Sequence, residues 1–537
     1  MIRETLSDTL RRWEDSRDAL DRAIQNYLDS ALQSDLHSYS HCSGLATMWK
    51  ILPKAWLEKI QAPVNHSKLT QAQTHLNQIR NSFLSINMLP LEILLRIFYL
   101  SAFRSFHTRY NTPIPNPFER DGRNDLLALT HVCTHWRAIL LSTQTFWSRF
   151  EFSTEANSVI AGGRARAYLD RAPDAPLSFF IEEHPEHVLV VGSSHPITGH
   201  IKARFGRLVR LALMNFHDPC VASDIVLLWM RDGKPGTLRT LTIRMDTAYW
   251  YTEVINTRVF PLSRERVDSF LAPIRVLYLN GLRFDWESPV YHDLVALRIG
   301  RFRGECSPRI HEMVAILSAC PQLHTLQLHE MSIRASDTSS FSPVHLTELE
   351  NFGLTRIAPE MICWLLSAIF PRAKDVSLRI GSPHIDEKLV SASIRPFLSR
   401  TSVTRLFVQR CIDVQSDDIS YYLSALPHLQ TVLIGLDKKA GDECLSAFMR
   451  PDASNSTYIP LCPQLHTIYL LGGSISTVAI QQIVETHPHI RRLRFSNCDV
   501  KPSENELRHW LKPFVEDVRF DVVMDQTEMF DWYHLMD

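Results

Sequence analysis

A three-position apolar unit, Leu-x-x-Leu-x-Leu with aliphatic or aromatic substitutions, returns twelve times between residues 208 and 520. It reads Leu208/Leu211/Leu213, Leu238/Leu241/Ile243, Ile274/Leu277/Leu279 and Leu294/Leu297/Ile299. It continues as Leu323/Leu326/Leu328, Leu349/Phe352/Leu354, Ala373/Val376/Leu378 and Val403/Leu406/Val408. The last four are Leu429/Val432/Ile434, Leu465/Ile468/Leu470, Ile490/Leu493/Phe495 and Val515/Val518/Phe520. Intervals run from 20 to 36 residues, mostly 24 to 30. The second and third apolar positions alternate as in a strand with one buried face. Before many units lies a segment of helical spacing closed by proline. Examples are Ile310/Met313/Leu317 before Pro321, Ile362/Leu365/Ile369 before Pro371, and Ile480/Ile483/Val484 before Pro488. Proline cannot continue a helix, and it pushes its predecessor toward extended geometry. Helix, proline and short strand in repetition predict a solenoid whose strands form one parallel sheet, because no unit can bury its apolar row alone.

Over about 200–520 this pattern resembles the leucine-rich repeat family. Cys411 and Cys498 stand at the Asn/Cys position that follows the strand in that family's consensus. Most other units lack either residue there, so the array is irregular. Residues 153–205 read as one or two degenerate opening repeats, with Leu177-Ser178-Phe179-Phe180-Ile181 as a strand. Asp517, Asp521, Asp525, Glu528 and Asp531, set among Phe520, Phe530 and Trp532, read as a C-terminal cap. The alternative for the same strands is a doubly wound α/β domain, but no Gly-rich strand-to-helix turn is visible.

Ahead of the repeats runs Leu89-Pro90-Leu91-Glu92-Ile93-Leu94-Leu95-Arg96-Ile97-Phe98. Ile93/Leu94, Ile97/Phe98 and Phe103 recur at helical steps. Pro90 suits a first turn, and Glu92 there favours the helix dipole. A second block follows, Leu126-Leu127-Ala128-Leu129-Thr130-His131-Val132-Cys133-Thr134-His135-Trp136-Arg137, and then Phe146-Trp147. From Leu89 to about Phe152 these blocks resemble the F-box family as fungi carry it. Two departures stand out. Leu91 replaces a second Pro or a polar residue, and Ser101–Asn124 is a long insertion that Pro113, Pro115 and Pro117 mark as a loop. Residues 1–85 read as a separate helical region. Leu6, Leu10, Trp13, Leu20, Ile24 and Leu28 fall near helical spacing, as do Leu69, Leu76, Ile79 and Phe83, and Ser34–Ser43 lies between as a loop. The predicted class is therefore α+β: an all-α F-box-like module at 86–152 with its loop insertion around 101–124, then an α/β repeat solenoid over 153–537.

Composition narrows the function. The chain has 57 Lys+Arg against 58 Asp+Glu, a net charge of −1, so bulk charge steers it toward neither nucleic acid nor membrane. The ten cysteines are scattered without a CxxC. They read as free thiols in a reducing compartment, cytoplasm or nucleus. No signal peptide is seen, and runs such as Ile225–Met230 are too short to span a bilayer. Neither GxxxxGK[ST], GxGxxG nor GxSxG occurs. Cys320-Pro321-Gln322-Leu323-His324 recurs as Cys462-Pro463-Gln464-Leu465-His466. A Cys-x3-His pair is compatible with zinc, but in both copies the leucine opens a repeat strand and the cysteine precedes the turn, which reads as core. His184/His187 and His487/His489 are lone pairs around a proline. No cofactor, metal or catalytic residue is expected.

An F-box-like module followed by leucine-rich repeats resembles the substrate receptors of SCF-type ubiquitin ligases. The resemblance implies docking on a Skp-type adaptor, which joins a cullin, and capture of a target on the solenoid for ubiquitin-dependent degradation, with no covalent chemistry by the chain itself. Adaptor contact falls to Leu89, Pro90, Leu91, Ile93, Ile97, Phe98, Val132, Cys133 and Trp136. Target contact is read from the residues that flank the last two apolar positions, which point to the other side of each strand. Those positions include Arg210, Arg244, Arg298, Arg379, Arg405, Arg492, Arg494 and Arg519, with Tyr278, Phe407 and Tyr469, against only Asp375, Asp517 and Asp521. Arginine beside aromatics suits carboxylate or phosphate, so the target is expected to be acidic or phosphorylated. The alternatives are a repeat scaffold whose helical hairpin is only a cap for the solenoid and, last, an α/β enzyme.

Overall fold

The computed structural model describes residues 84–110, 123–153, 166–182, 204–245, 253–255, 262–332, 343–381, 387–409, 422–436, 441–451, 458–501 and 504–521, with a few isolated positions besides. It divides into two units, Met1–Pro90 and Leu91–Asp537. In the first unit a 3-10 turn covers Ser85–Met88, and Met88, Leu89 and Pro90 are exposed. The few positions described before it, such as Arg11, Asp18 and Asn26, are helical. The rest of the helical region expected over 1–85 lies outside the described residues.

The second unit opens with three helices. Helix α1 (Leu91–Tyr110) has Glu92 in its first turn. It continues through the first part of the segment expected as a loop, because nothing between Ser101 and Tyr110 is a helix breaker. Pro113, Pro115 and Pro117 lie outside the described residues. Leu94, Phe98 and Ala102 are fully buried at four-residue steps, which makes one face of α1 a core face. It packs on α2 (Arg123–Thr130), and α2 packs on α3 (Thr134–Ser142). Cys133 caps α3, its sulfur accepting from the Trp136 N–H at 3.5 Å.

Side-chain bonds tie these helices to the start of the sheet. The buried Trp147 indole donates to the Leu140 carbonyl at 2.7 Å and packs tilted against Tyr168 at 5.0 Å. The Arg149 guanidinium bonds to the Tyr99 hydroxyl and lies over its ring. Arg149 already belongs to the first strand.

The body is one parallel sheet of fourteen strands in unbroken chain order. They are β1 (Arg149–Ser153), β2 (Leu177–Glu182), β3 (Leu208–Phe216), β4 (Thr240–Met245), β5 (Val276–Asn280), β6 (Ala296–Gly300) and β7 (Thr325–His329). Then come β8 (Asn351–Thr355), β9 (Val376–Gly381), β10 (Val403–Gln409), β11 (Thr431–Gly435), β12 (Thr467–Leu471), β13 (Arg492–Ser496) and β14 (Asp517–Asp521). Each of the twelve sequence units supplies one strand, β3 to β14, and Leu177–Ile181 supplies β2. Strand β1 was not foreseen. The apolar positions stack in register: Leu241, Leu277, Leu297, Leu326 and Phe352 are partners across successive strands, and each is fully buried. The proline-closed helices cover this core, with Met313/Ile316/Leu317, Ile362/Leu365 and Ile480/Ile483/Val484 buried.

Past the strand ends the chain turns through left-handed residues. Gly281 and Gly472 serve two repeats, but Arg301 (φ 63°), Glu330 (φ 47°) and Arg356 (φ 52°) take the conformation without being glycine. Such residues cost on the order of 1 kcal/mol each. The geometry aims each N–H at the next strand's terminal carbonyl: Gly281 to Gly300 at 3.1 Å, Arg301 to His329 at 2.9 Å, Glu330 to Thr355 at 2.9 Å. Cys498 does related work with its side chain, its thiol lying 3.3 Å from the Leu470 carbonyl and 3.1 Å from that of Gly472. Burial pushes that thiol up to about 12. Cys411 lies outside the described residues.

At the far edge Phe520 of β14 stacks on Phe495 of β13 at 4.7 Å, and Arg508 covers the Phe520 ring. Asp525, Glu528, Phe530, Asp531 and Trp532 of the expected cap lie outside the described residues. Ending the chain before Val515 removes β14 and uncovers β13. The expected result is a melting temperature several degrees lower, read by circular dichroism; an unshifted melt contradicts a cooperative array.

Candidate functional site

Two surfaces carry the residues singled out in the sequence. The first is the outward side of α1. At about 100° per residue, Ile93 and Leu100 fall opposite the buried row of Leu94, Phe98 and Ala102, and Ile97 falls on its flank. Leu91, Ile93 and Leu100 are 51%, 49% and 49% exposed, and Ile97 is half-buried. Val132, in the turn between α2 and α3, is 55% exposed. Phe98 is core: its ring meets Trp136 at 4.7 Å, and Cys133 caps the start of α3 through the Trp136 backbone N–H. Leu100 was missed, although it stands at the seven-residue step from Ile93. Leu89 and Pro90, exposed as well, belong to the first unit.

The second surface is the sheet face of alternate residues, where register decides who meets whom. One row runs Tyr278, Arg298, Gln327, Gly353, Arg379, Phe407, Leu433, Tyr469, Arg494 and Arg519, one residue per strand from β5 to β14. Arg298 stacks over Tyr278 at 4.6 Å, and Arg494 over Tyr469 at 5.5 Å. Phe407 and Tyr469 are buried, with Leu433 between them, so they form part of an apolar strip and do not stand out as exposed anchors. Arg210, Arg405 and Arg492 lie in the neighbouring row, on β3, β10 and β13. At roughly 4.8 Å per strand, Arg210 and Arg405 are more than ~30 Å apart. The expected basic face therefore resolves into separate groups. Arg149 and Arg210 act on each other at the first strands. Arg492, Arg494 and Arg519 gather at the last, where Asp517 pairs with Arg494 at 3.7 Å and Arg519 at 3.0 Å. Arg244 stands opposite Asn280 in the row that closes the strands.

The middle group was not foreseen in full. In that closing row Asn280, Gly300, His329, Thr355 and Gly381 are consecutive partners from β5 to β9. His329 Nδ1 and the Thr355 hydroxyl are 2.8 Å apart. Glu330, only 3% exposed, lies 3.3 Å from Arg301 and is hydrogen-bonded by Arg356. Burial pushes the Glu330 carboxyl up, but the Arg356 hydrogen bond with the charges of His329, Arg301 and Arg356 outweighs it, and the net shift is downward. Burial, and then the like charges of Arg356, Arg301 and Arg379 against the opposing pull of Glu330, push His329 from 6.5 down to about 4.

A histidine with a lowered folded pKa binds fewer protons folded than unfolded, so stability falls as pH drops through 6.5 toward about 4. Glu330 adds the same sign, its contribution being present above the ordinary carboxylate range and lost as pH falls through the lowered value. Because 27% of the His329 side chain meets solvent, its share is discounted to on the order of 2 kcal/mol. His329→Asn should flatten the pH dependence of urea unfolding between pH 6.5 and about 4; an unchanged slope contradicts it.

Cys320 and Cys462 are buried, and burial pushes their thiols up to about 11 and about 12. Cys320 donates to the Tyr291 carbonyl at 2.9 Å, a core contact. Among the described residues no group of three or more His, Cys, Asp or Glu is placed to hold a metal, and no helix is long and apolar enough to cross a membrane.

No protein-family model matches the chain, and no curated protein matches it. Among solved structures it is similar to a leucine-rich repeat-containing protein from Legionella pneumophila, at 14% identity and a TM-score of 0.30, over 66% of this chain and 91% of that one.

Proposed function

We propose that the chain is the substrate-recognition subunit of an SCF-type ubiquitin ligase. It docks a Skp-type adaptor, and through it a cullin, by the outward side of α1 with Val132 and the Trp136 region, and it holds a target protein on the sheet face. The chain contributes binding and no covalent step. The observation that carries this reading is the two-sidedness of α1. Leu94, Phe98 and Ala102 close on the chain's own core while Ile93 and Leu100, on the other side, are left about half in water. A helix that spends one apolar side on its own fold and leaves another outside is suited to a partner. The resemblance of the blocks around Leu89–Phe98 and Val132–Trp136 to the F-box supplies the partner's class. The fourteen parallel strands support a protein-interaction role for the rest.

A second reading has its own observation. The Tyr99–Arg149 bond fixes α1 to β1, and the Trp147–Leu140 bond holds the turn before β1 to α3, as a solenoid cap requires. In that case the chain is a repeat scaffold without a ligase role. Co-purification of the full chain with a Skp-type adaptor separates them. A one-to-one complex supports the receptor; no complex at micromolar concentrations leaves the scaffold.

A further inference from the structure

Strands β5 to β9 present two adjacent rows on the sheet face. The mid-strand row reads Tyr278, Arg298, Gln327, Gly353, Arg379, and the closing row reads Asn280, Gly300, His329, Thr355, Gly381. Glycines alternate with long polar side chains, and the amides lean over them. A Cβ at Gly353 would come 3.3 Å from Gln327 Cγ, and one at Gly300 would come 3.6 Å from Asn280 Nδ2. Gln327 carries a buried donor, Nε2, that finds no hydrogen-bond partner among the described residues. Leaving such a donor unpaired is costly, so a ligand that accepts from it is favoured.

The surroundings define the ligand's charge. Arg379 flanks Gly353 on the side away from Gln327. Arg298, stacked on Tyr278, is held on the other side of Gln327. Arg301 and Arg356 stand just beyond the closing row, with Glu330 between them. His329 faces Thr355 and, from the adjoining turns and strand, Glu330, Arg301, Arg356 and Arg379. An amide N–H without an acceptor, with a guanidinium two strands away across a glycine, suits an oxyanion, which accepts from both.

We infer that this patch is a binding site for one oxyanion group, a carboxylate or a phosphate monoester on an extended segment of the target, seated over Gly353 and held by Gln327 and Arg379 with His329 at its rim. The inference rests on the sheet face being the target surface. It does not depend on the adaptor.

The test uses the full chain and three blocked tripeptides, Gly-Ser-Gly carrying a phosphoserine, its glutamate counterpart and its unmodified serine counterpart, followed by calorimetry and, for the first, 31P line broadening. The phosphoserine or the glutamate peptide should bind, and whichever is tighter identifies the oxyanion's source. The serine peptide should not bind. Gln327→Leu and Arg379→Gln should each weaken binding at least about tenfold. Arg210→Gln, on the distant β3, should leave it unchanged. Gln327→Leu should melt no lower than the parent, since it removes an unsatisfied buried amide. Equal weakening by Arg210→Gln, binding of the serine peptide, or no binding by any peptide would overturn the site. So would a marked loss of stability in Gln327→Leu, which would mean the amide is already satisfied. Adaptor capture by these variants should stay at the parental level, so a failure here is separable from a failure of the receptor reading.

Discussion

Ile93→Asp combined with Leu100→Asp is expected to weaken capture of a Skp-type adaptor by at least about 100-fold, since each apolar anchor buried in an interface carries on the order of 2 kcal/mol. Both side chains are already about half in water, so the melting temperature should not move. Phe98→Ala is the contrasting change. It empties a fully buried position against Trp136 and should cost about 3–5 kcal/mol of stability. The pair separates contact from core on the same helix. Calorimetric titration of the purified adaptor reads the first effect and denaturant unfolding reads the second. Undiminished adaptor binding by the double variant would remove α1 from the interface.

Glu330→Ala should cost about 3 kcal/mol, near the lower end for breaking a buried ion pair. Arg301 and Glu330 are both mostly buried, so deleting the carboxylate leaves a guanidinium charge without its counter-ion in poor solvent. Arg356, about half exposed, can turn to water, which is why the upper end is not expected. The loss should appear in the urea midpoint at pH 7. It should shrink as the parent is titrated toward acid, because the parent itself loses the Glu330 contribution there. An unchanged midpoint at pH 7 would mean the triad adds nothing.

Much of the fold was legible because the core is written in one period. The triplet from Leu208/Leu211/Leu213 to Val515/Val518/Phe520 marks every strand from β3 to β14, since burying one face of a strand on neighbours of the same kind demands it. Strand β1 escaped because Arg149-Phe150-Glu151-Phe152 alternates without the leading leucine of the triplet. The surface was less legible. Period two places Phe407 and Tyr469 on the face of the arginines, but only the register shows that Leu433 joins them into a buried strip. Likewise the arginines read as one basic surface in the sequence, and strand order separates Arg210 from Arg405 and Arg492. The His329–Glu330 cluster follows from contacts between successive turns, made by residues 26 apart that no local pattern joins. On α1 the helical period put Ile93/Leu94 and Ile97/Phe98 in one apolar stripe, and only burial assigns Leu94 and Phe98 to the core and Ile93 to the outside.

Hydrogen–deuterium exchange of the full chain, with and without a purified Skp-type adaptor, decides whether α1 is a docking helix. Added protection is expected in peptides covering 91–100 and 131–137, and none in the strands from β4 to β13, which stay available for the target. Unaltered exchange throughout, or protection spread over the strands instead of α1 and the α2–α3 turn, would contradict the receptor role.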